Sequence, residues 1–314
     1  MCGIIGYVGD KQAAPFLLAG LKRLEYRGYD SSGIGIVDAR TKSFDVRKIN
    51  GKIANLENLI HSQPLCESST GISHTRWATH GAPTRINAHP HVDTRKNILV
   101  VHNGIIENYE SLREKLQSRG HRFVSQTDTE VVAQLIGEYY HPSRSSAKPE
   151  DLLAAVRKAV KQLKGAFALG VIAADQPGVL VAARVGSPLI IGLGRGEQFI
   201  ASDVPAIFQH TKKIIYLKDG QMALLTPQCV QVSSFDGHKV QPKVDTVNLQ
   251  IDAVQKQGFA HFMLKEIHEQ PQVLKQMFHA RVKHGEVVLS GIHLTDQQLK
   301  NIKRILIVAC GTAY

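Results

Sequence analysis

Between residues 166 and 226, five or six short apolar segments follow one another, each closed by Gly or Asp, with no connection long enough for a helix. Parallel neighbours need a crossover of about a dozen residues or more, so these segments can pair only as an antiparallel sheet. Helices must then come from elsewhere in the chain and pack outside it. The rest of the sequence supplies them. Leu17, Leu21 and Leu24 recur at helical spacing after an apolar strand over 2–8. Thr127 and Glu130 have the spacing of a capping box, followed by Val131, Leu135 and Ile136 as an apolar stripe. Another helix is expected over 151–163. Runs rich in β-branched residues at 34–37 and 98–101 read as buried strands, the second leading into His102-Asn103-Gly104 as a loop. The expected class is α+β.

The pattern changes beyond residue 236. Residues 237–257 are polar and lack periodicity, and 259–280 read as a helix that Pro271 should kink or divide. The apolar run from Arg304 enters a Gly turn at Gly311, as the first strand of a parallel α/β unit does. One domain is therefore expected over 1–240, a linker over 241–258, and the opening of a second domain over 259–314.

Composition removes several functional classes. The longest apolar run, 166–174, is far short of the ~20 residues of a membrane-spanning helix. No basic segment precedes the apolar start, and Asp10 and Lys11 close it, so no signal peptide is expected and the location expected is cytoplasmic. The net charge of +11 raises the question of nucleic acid. Lys and Arg are scattered and not interleaved with aromatics, so no nucleic-acid partner is expected, and an anionic small substrate or solubility accounts for the charge. Cys2, Cys66, Cys229 and Cys310 form no C-x-x-C pair, which argues against a zinc site or a disulfide framework. His74, His89, His91 and His102 crowd one region without metal-site spacing, so no metal is expected.

One cysteine directly follows Met1. If Met1 is removed, Cys2 carries a thiol and a free α-amine whose ordinary pKa of about 7.7 to 8.0 suits a general base. Nucleophile and base then sit on one residue. While Met1 remains, that nitrogen is an amide and the base does not exist. A cysteine in an apolar strand is by itself more often a small buried hydrophobe than a nucleophile.

More than position points to chemistry. M-C-G-I-I-G at 1–6, R-L-E-Y-R-G-Y-D-S-S-G at 23–33, H-T-R-W-A-T-H-G at 74–81 and H-N-G-I-I-E-N at 102–108 closely resemble the class II glutamine amidotransferases, and within them the glutaminase half of the glucosamine-6-phosphate synthase family. K-E-I-H-E-Q-P at 265–271 and A-C-G-T at 309–312 resemble the start of that family's sugar-phosphate isomerase (SIS) half. The resemblance implies an N-terminal-nucleophile (Ntn) hydrolase fold, a four-layer αββα sandwich, followed by the opening segment of an α/β isomerase domain.

It also implies roles. Cys2 attacks the side-chain amide carbon of L-glutamine, and the Asn103 amide and Gly104 N–H face the oxyanion. Arg76 clamps the α-carboxylate, for which a planar two-pronged donor is suited, and Asp128 holds the α-ammonium. Trp77 closes the pocket, Thr79 and His80 complete it, and Arg27 orders the site from outside. No cofactor is implied. In the complete enzymes of the family the ammonia passes to fructose 6-phosphate, and the full-length protein is expected to be a homodimer. The alternatives are the glutaminase domain of another class II amidotransferase, forming phosphoribosylamine or asparagine, and a catalytically silent regulatory module of the same fold.

Overall fold

All of strand β1 (Gly3–Gly9) is buried, with Ile4 and Val8 turned into one apolar cluster and Ile5 and Tyr7 into another. A strand whose two faces are both covered belongs inside a layered structure. The computed structural model describes residues 2–77, 81–142, 147–247, 258–283, 285–288, 292 and 294–306. Its contacts divide the chain into two units, Met1–Leu249 and Gln250–Tyr314.

The first unit contains two antiparallel sheets. One has eight strands: β1, β2 (Ser31–Asp38), β3 (Ser43–Asn50), β4 (Thr70–Arg76), β9 (Ile190–Leu193), β10 (Glu197–Ala201), β11 (Lys213–Tyr216) and β15 (Asp245–Thr246), in the order β15-β11-β9-β10-β1-β4-β2-β3. The other has seven: β5 (His91–Val92), β6 (Ile98–Ile106), β7 (Gly165–Ala173), β8 (Leu180–Val185), β12 (Gln221–Leu225), β13 (Val230–Ser234) and β14 (Lys239–Val240), in the order β14-β13-β12-β8-β7-β6-β5. Helices α1 (Ala13–Leu24) and α2 (Ile53–Ser62) cover the outer face of the first sheet through Leu17, Leu21, Leu24, Ile53 and Leu56. Helices α3 (Tyr109–Gln117), α4 (Asp128–Tyr139) and α5 (Pro149–Val160) cover the second through Leu112, Val132, Ile136, Leu152 and Val156. Ile4, Val8, Leu99, Val101, Ile172 and Ile200 lie in the layer between the sheets. The result is the expected αββα sandwich.

The close approach of the two sheets rests on glycine. A Cβ on Gly6 would lie 2.6 Å from Ile200 Cγ1, and one on Gly170, in the opposite sheet, 2.8 Å from Ile200 Cδ1. Ile200 therefore fills the space that both glycines leave open.

Several elements differ in detail from the sequence reading. The dense region does hold six antiparallel strands, β7 to β12, but they are shared between two sheets. His102-Asn103-Gly104, expected as a loop, lies within β6 and pairs with Leu169, Ala168 and Phe167 of β7. Thr127 does cap α4 by accepting from the Glu130 N–H at 3.3 Å, while the Glu130 carboxylate accepts from Val124 and Ser125 N–H and not from Thr127. Strand β15 lies in the stretch read as linker and pairs with β11.

In the second unit, α6 (Phe262–Arg281) runs as one helix through Pro271, which removes a single backbone bond from 20 residues and does not divide it. A small hairpin, β16 (Val282–Lys283) with β17 (Glu286–Val287), and helix α7 (Asp296–Lys300) follow. Residues 304–306, expected as the start of a strand, have no regular structure, and the remainder of that run lies outside the described residues. Among the described residues no helix is long and apolar enough to cross a membrane.

Ile200→Ala opens a cavity facing both sheets and is expected to cost about 2–5 kcal/mol. The urea unfolding midpoint measures it.

Candidate active site

Antiparallel pairing of β1 with β4 sets Gly3 opposite Thr75 and Ile4 opposite His74. Cys2 therefore stands beside Arg76 and Trp77, where both strands leave the sheet. From the other sheet, β6 brings Asn103 and Gly104 to the same point. Cys2, Arg27, Trp77, Asn103, Gly104, Ile105, Ser187 and Pro188 line one cleft of about 390 Å³.

The Cys2 thiol is held by the backbone of one residue. The Trp77 N–H donates to Sγ at 3.2 Å, and Sγ donates to the Trp77 carbonyl at 3.5 Å. Burial pushes the thiol above its usual range, and the Trp77 N–H partly opposes this. The resting group is thus a thiol, and attack needs a base to take its proton. The Cys2 carbonyl accepts from Arg27 Nε at 3.1 Å and from Asn103 Nδ2 at 3.2 Å.

That second contact settles the orientation of the Asn103 side chain, because a carbonyl only accepts. Nδ2 also donates to Ser202 Oγ at 2.8 Å, and Oδ1 accepts from His74 Nε2 at 2.9 Å. His74 is therefore the neutral tautomer with its proton on Nε2. Burial holds its pKa down at about 3. Both amide hydrogens of Asn103 are engaged, and an oxyanion at the nucleophile would have to share the one given to the Cys2 carbonyl.

Gly104 has φ +127°, and a Cβ there would lie 2.0 Å from the Ala166 carbonyl oxygen. Only glycine fits. Gly28, at φ +96°, meets a cleft residue in the same way: a Cβ would lie 2.6 Å from Trp77 Cε3, so the half-exposed indole rests on the Gly28 backbone.

The remaining expected residues do not line this cleft among the described residues. Arg76 is buried, its guanidinium donating to the Gly81 carbonyl at 3.0 Å and the Ala82 carbonyl at 3.3 Å. Asp128 begins α4, and its Oδ2 accepts from the Ile106 N–H at 2.9 Å and lies 3.9 Å from His102 Nδ1. Thr79 and His80 lie outside the described residues. The four histidines read as a crowd do meet. His74 stacks on His89 with centroids 4.0 Å apart, His89 meets His91 edge-on at 5.0 Å, and Thr129 Oγ1 bridges His102 and His89. Burial holds His89 and His91 well below the usual histidine range.

Sequence reasoning missed Ser202 and Asp203, which directly follow β10, and Ile105, Ser187 and Pro188 of the cleft wall. Ser202 and Asp203 follow an apolar run as polar residues at a strand end. That marks a turn and nothing more.

Comparison with known proteins gives this geometry a context. The glutamine amidotransferase domain profile matches residues 74–209. The chain is 46% identical over 315 residues to a glutamine--fructose-6-phosphate aminotransferase (isomerizing) of Clostridium tetani, covering 100% of this chain and 50% of the relative. It is 47% identical over 318 residues to the enzyme of that name from Aquifex aeolicus, with the same coverage. The chain thus spans about half the length of the curated relatives it matches. Among solved structures, glutamine phosphoribosylpyrophosphate amidotransferase from B. subtilis, complexed with ADP and GMP, aligns with a TM-score of 0.62 at 24% identity, over 74% of this chain and 49% of that one. That likeness shows the fold.

The buried neutral histidines tie stability to pH. Unfolded histidine binds a proton below about pH 6.5, whereas folded His74 does so only near pH 3. Stability is therefore full above about 6.5 and falls as the pH drops toward 3, by up to ~1.4 kcal/mol per unit for each such histidine. The urea midpoint is expected to be clearly lower near pH 5 than near pH 7.5.

Proposed function

Since the chain carries a glutamine amidotransferase domain, we propose that it hydrolyses L-glutamine to glutamate and ammonia through a thioester on Cys2. The observation that carries this reading is the Cys2 thiol in the cleft wall, hydrogen-bonded to the Trp77 backbone with Asn103 and Gly104 in the same cleft.

The steps follow from these groups. With Met1 removed, the Cys2 α-amine takes the thiol proton and Sγ attacks the side-chain amide carbon. The tetrahedral oxyanion is met by the Asn103 amide and the Gly104 N–H, donors of the kind whose individual loss costs ~2.7–4 kcal/mol. The protonated amine returns its proton to the leaving nitrogen, ammonia departs, and water opens the thioester. Arg76 and Asp128 serve the α-carboxylate and α-ammonium ends of glutamine, Trp77, Thr79 and His80 close the pocket, and Arg27 holds the Cys2 carbonyl in place.

Homology along the whole chain favours the aminotransferases over the phosphoribosylamine- and asparagine-forming branches. We therefore extend the proposal to the longer protein: the ammonia is delivered to fructose 6-phosphate, in a cytoplasmic homodimer that needs no nucleic acid.

Glutamate release by Met1-free protein tests the reading. Cys2→Ala is expected to abolish it. Arg76→Lys keeps the charge but loses the two-pronged geometry, and is expected to raise KM for glutamine about tenfold or more with a smaller effect on kcat. Activity that survives Cys2→Ala overturns the nucleophile.

A further inference from the structure

We propose that Ser202 and Asp203 are positioning residues of this site, a bracket that sets the nucleophile and the Asn103 amide relative to one another; the inference rests on the glutaminase reading above. Neither residue belongs to the motifs that carry the resemblance, and neither reaches the thiol.

Ser202 is buried, and its hydroxyl oxygen accepts from two donors at 2.8 Å, the Ile4 N–H and Asn103 Nδ2. Its own N–H donates to the Ile4 carbonyl at 3.0 Å. One hydroxyl thus joins β1, in the eight-stranded sheet, to β6, in the seven-stranded sheet, two residues from Cys2 in the first and at Asn103 in the second.

Asp203 continues the bracket. Its Oδ1 accepts from the Val204 N–H at 2.8 Å, and its Oδ2 accepts from the Tyr26 hydroxyl and from Arg27 Nη1 at 3.3 Å. The Arg27 side chain is 7% exposed, and its Nε donates to the Cys2 carbonyl. Two routes therefore converge on one atom. Ser202 reaches the Cys2 carbonyl through Asn103, and Asp203 reaches it through Arg27. His74 fixes the far end of the Asn103 amide, so that side chain is held at its nitrogen by the bracket and at its oxygen by a neutral imidazole.

The consequence is geometric. A displacement of about 1 Å between nucleophile and oxyanion donor is enough to cost ~10²-fold in rate, and a buried donor left without an acceptor pulls its side chain toward another partner. Both routes end on the Cys2 carbonyl and the Asn103 amide, the nucleophile and oxyanion side of the site, so the bracket acts on the chemical step.

Ser202→Thr and Ser202→Val, made in the full Met1-free chain, add the same bulk and differ only in the hydroxyl. Ser202→Val is expected to lower kcat for glutamine hydrolysis about tenfold or more with KM within about threefold, whereas Ser202→Thr stays within about threefold of the parent in both. Equal loss in the two variants, or a loss confined to KM, overturns the proposal. Asp203→Asn, at a half-exposed position, is expected to lower kcat several-fold at unaltered far-ultraviolet dichroism; a kcat equal to the parent's overturns the Asp203 half.

The side-chain amide resonances of Asn103, assigned by their loss in Asn103→Asp, separate this inference from the glutaminase reading. They are expected to shift in Ser202→Val and not in Ser202→Thr. If the parent protein releases no glutamate but this pattern is present, the glutaminase reading fails and the bracket stands. Identical resonances in parent and Ser202→Val overturn the bracket whatever the activity.

Discussion

The apolar layer between the two sheets is what the rest of the molecule depends on. Each sheet is covered by helices on its outer face and by the other sheet on its inner face, so a polar side chain within a strand is buried and must find a partner there. Part of the site sits at the strand ends. Cys2 at the start of β1, Trp77 beyond the end of β4 and Ser202 beyond the end of β10 all lie there, and they cluster because β10, β1 and β4 are neighbours. The cleft is a product of the layering.

A second constraint is electrostatic. Asn103, in the middle of β6, is held by His74, which belongs to a buried group with His89, His91 and His102. Such a buried group tolerates imidazole and not imidazolium. Neutral His74 can hold the Asn103 oxygen without adding a charge beside the nucleophile, which a lysine or arginine in its place could not do. Neutral donors also keep the cleft's positive charge on Arg27, whose guanidinium is engaged with Asp203.

Local patterns made part of this legible in the sequence. Leu17, Leu21 and Leu24 mark α1, Thr127 marks the start of α4, and short punctuated segments mark the antiparallel strands. The sharing of β7 to β12 between two sheets was not legible, because burial on both faces erases the alternation that would assign a strand to one sheet. Asn103-Gly104 looked like a turn because Gly104 does adopt a left-handed φ, but it does so inside a ladder. Motifs placed Cys2, Trp77, Asn103, Gly104 and Arg27 at one cleft. Ser202 had no local signature, since its two side-chain bonds join residues 198 and 99 positions apart.

Trp77 is the only tryptophan in the chain. Its ring lies against the Gly28 backbone while its own backbone N–H donates to the Cys2 sulfur. Tryptophan emission from this protein therefore arises from a single indole in the cleft wall, on the residue whose backbone holds the thiol. The molecule carries its own optical reporter, and an event that lifts the ring from Gly28 changes the colour of its fluorescence without any added label.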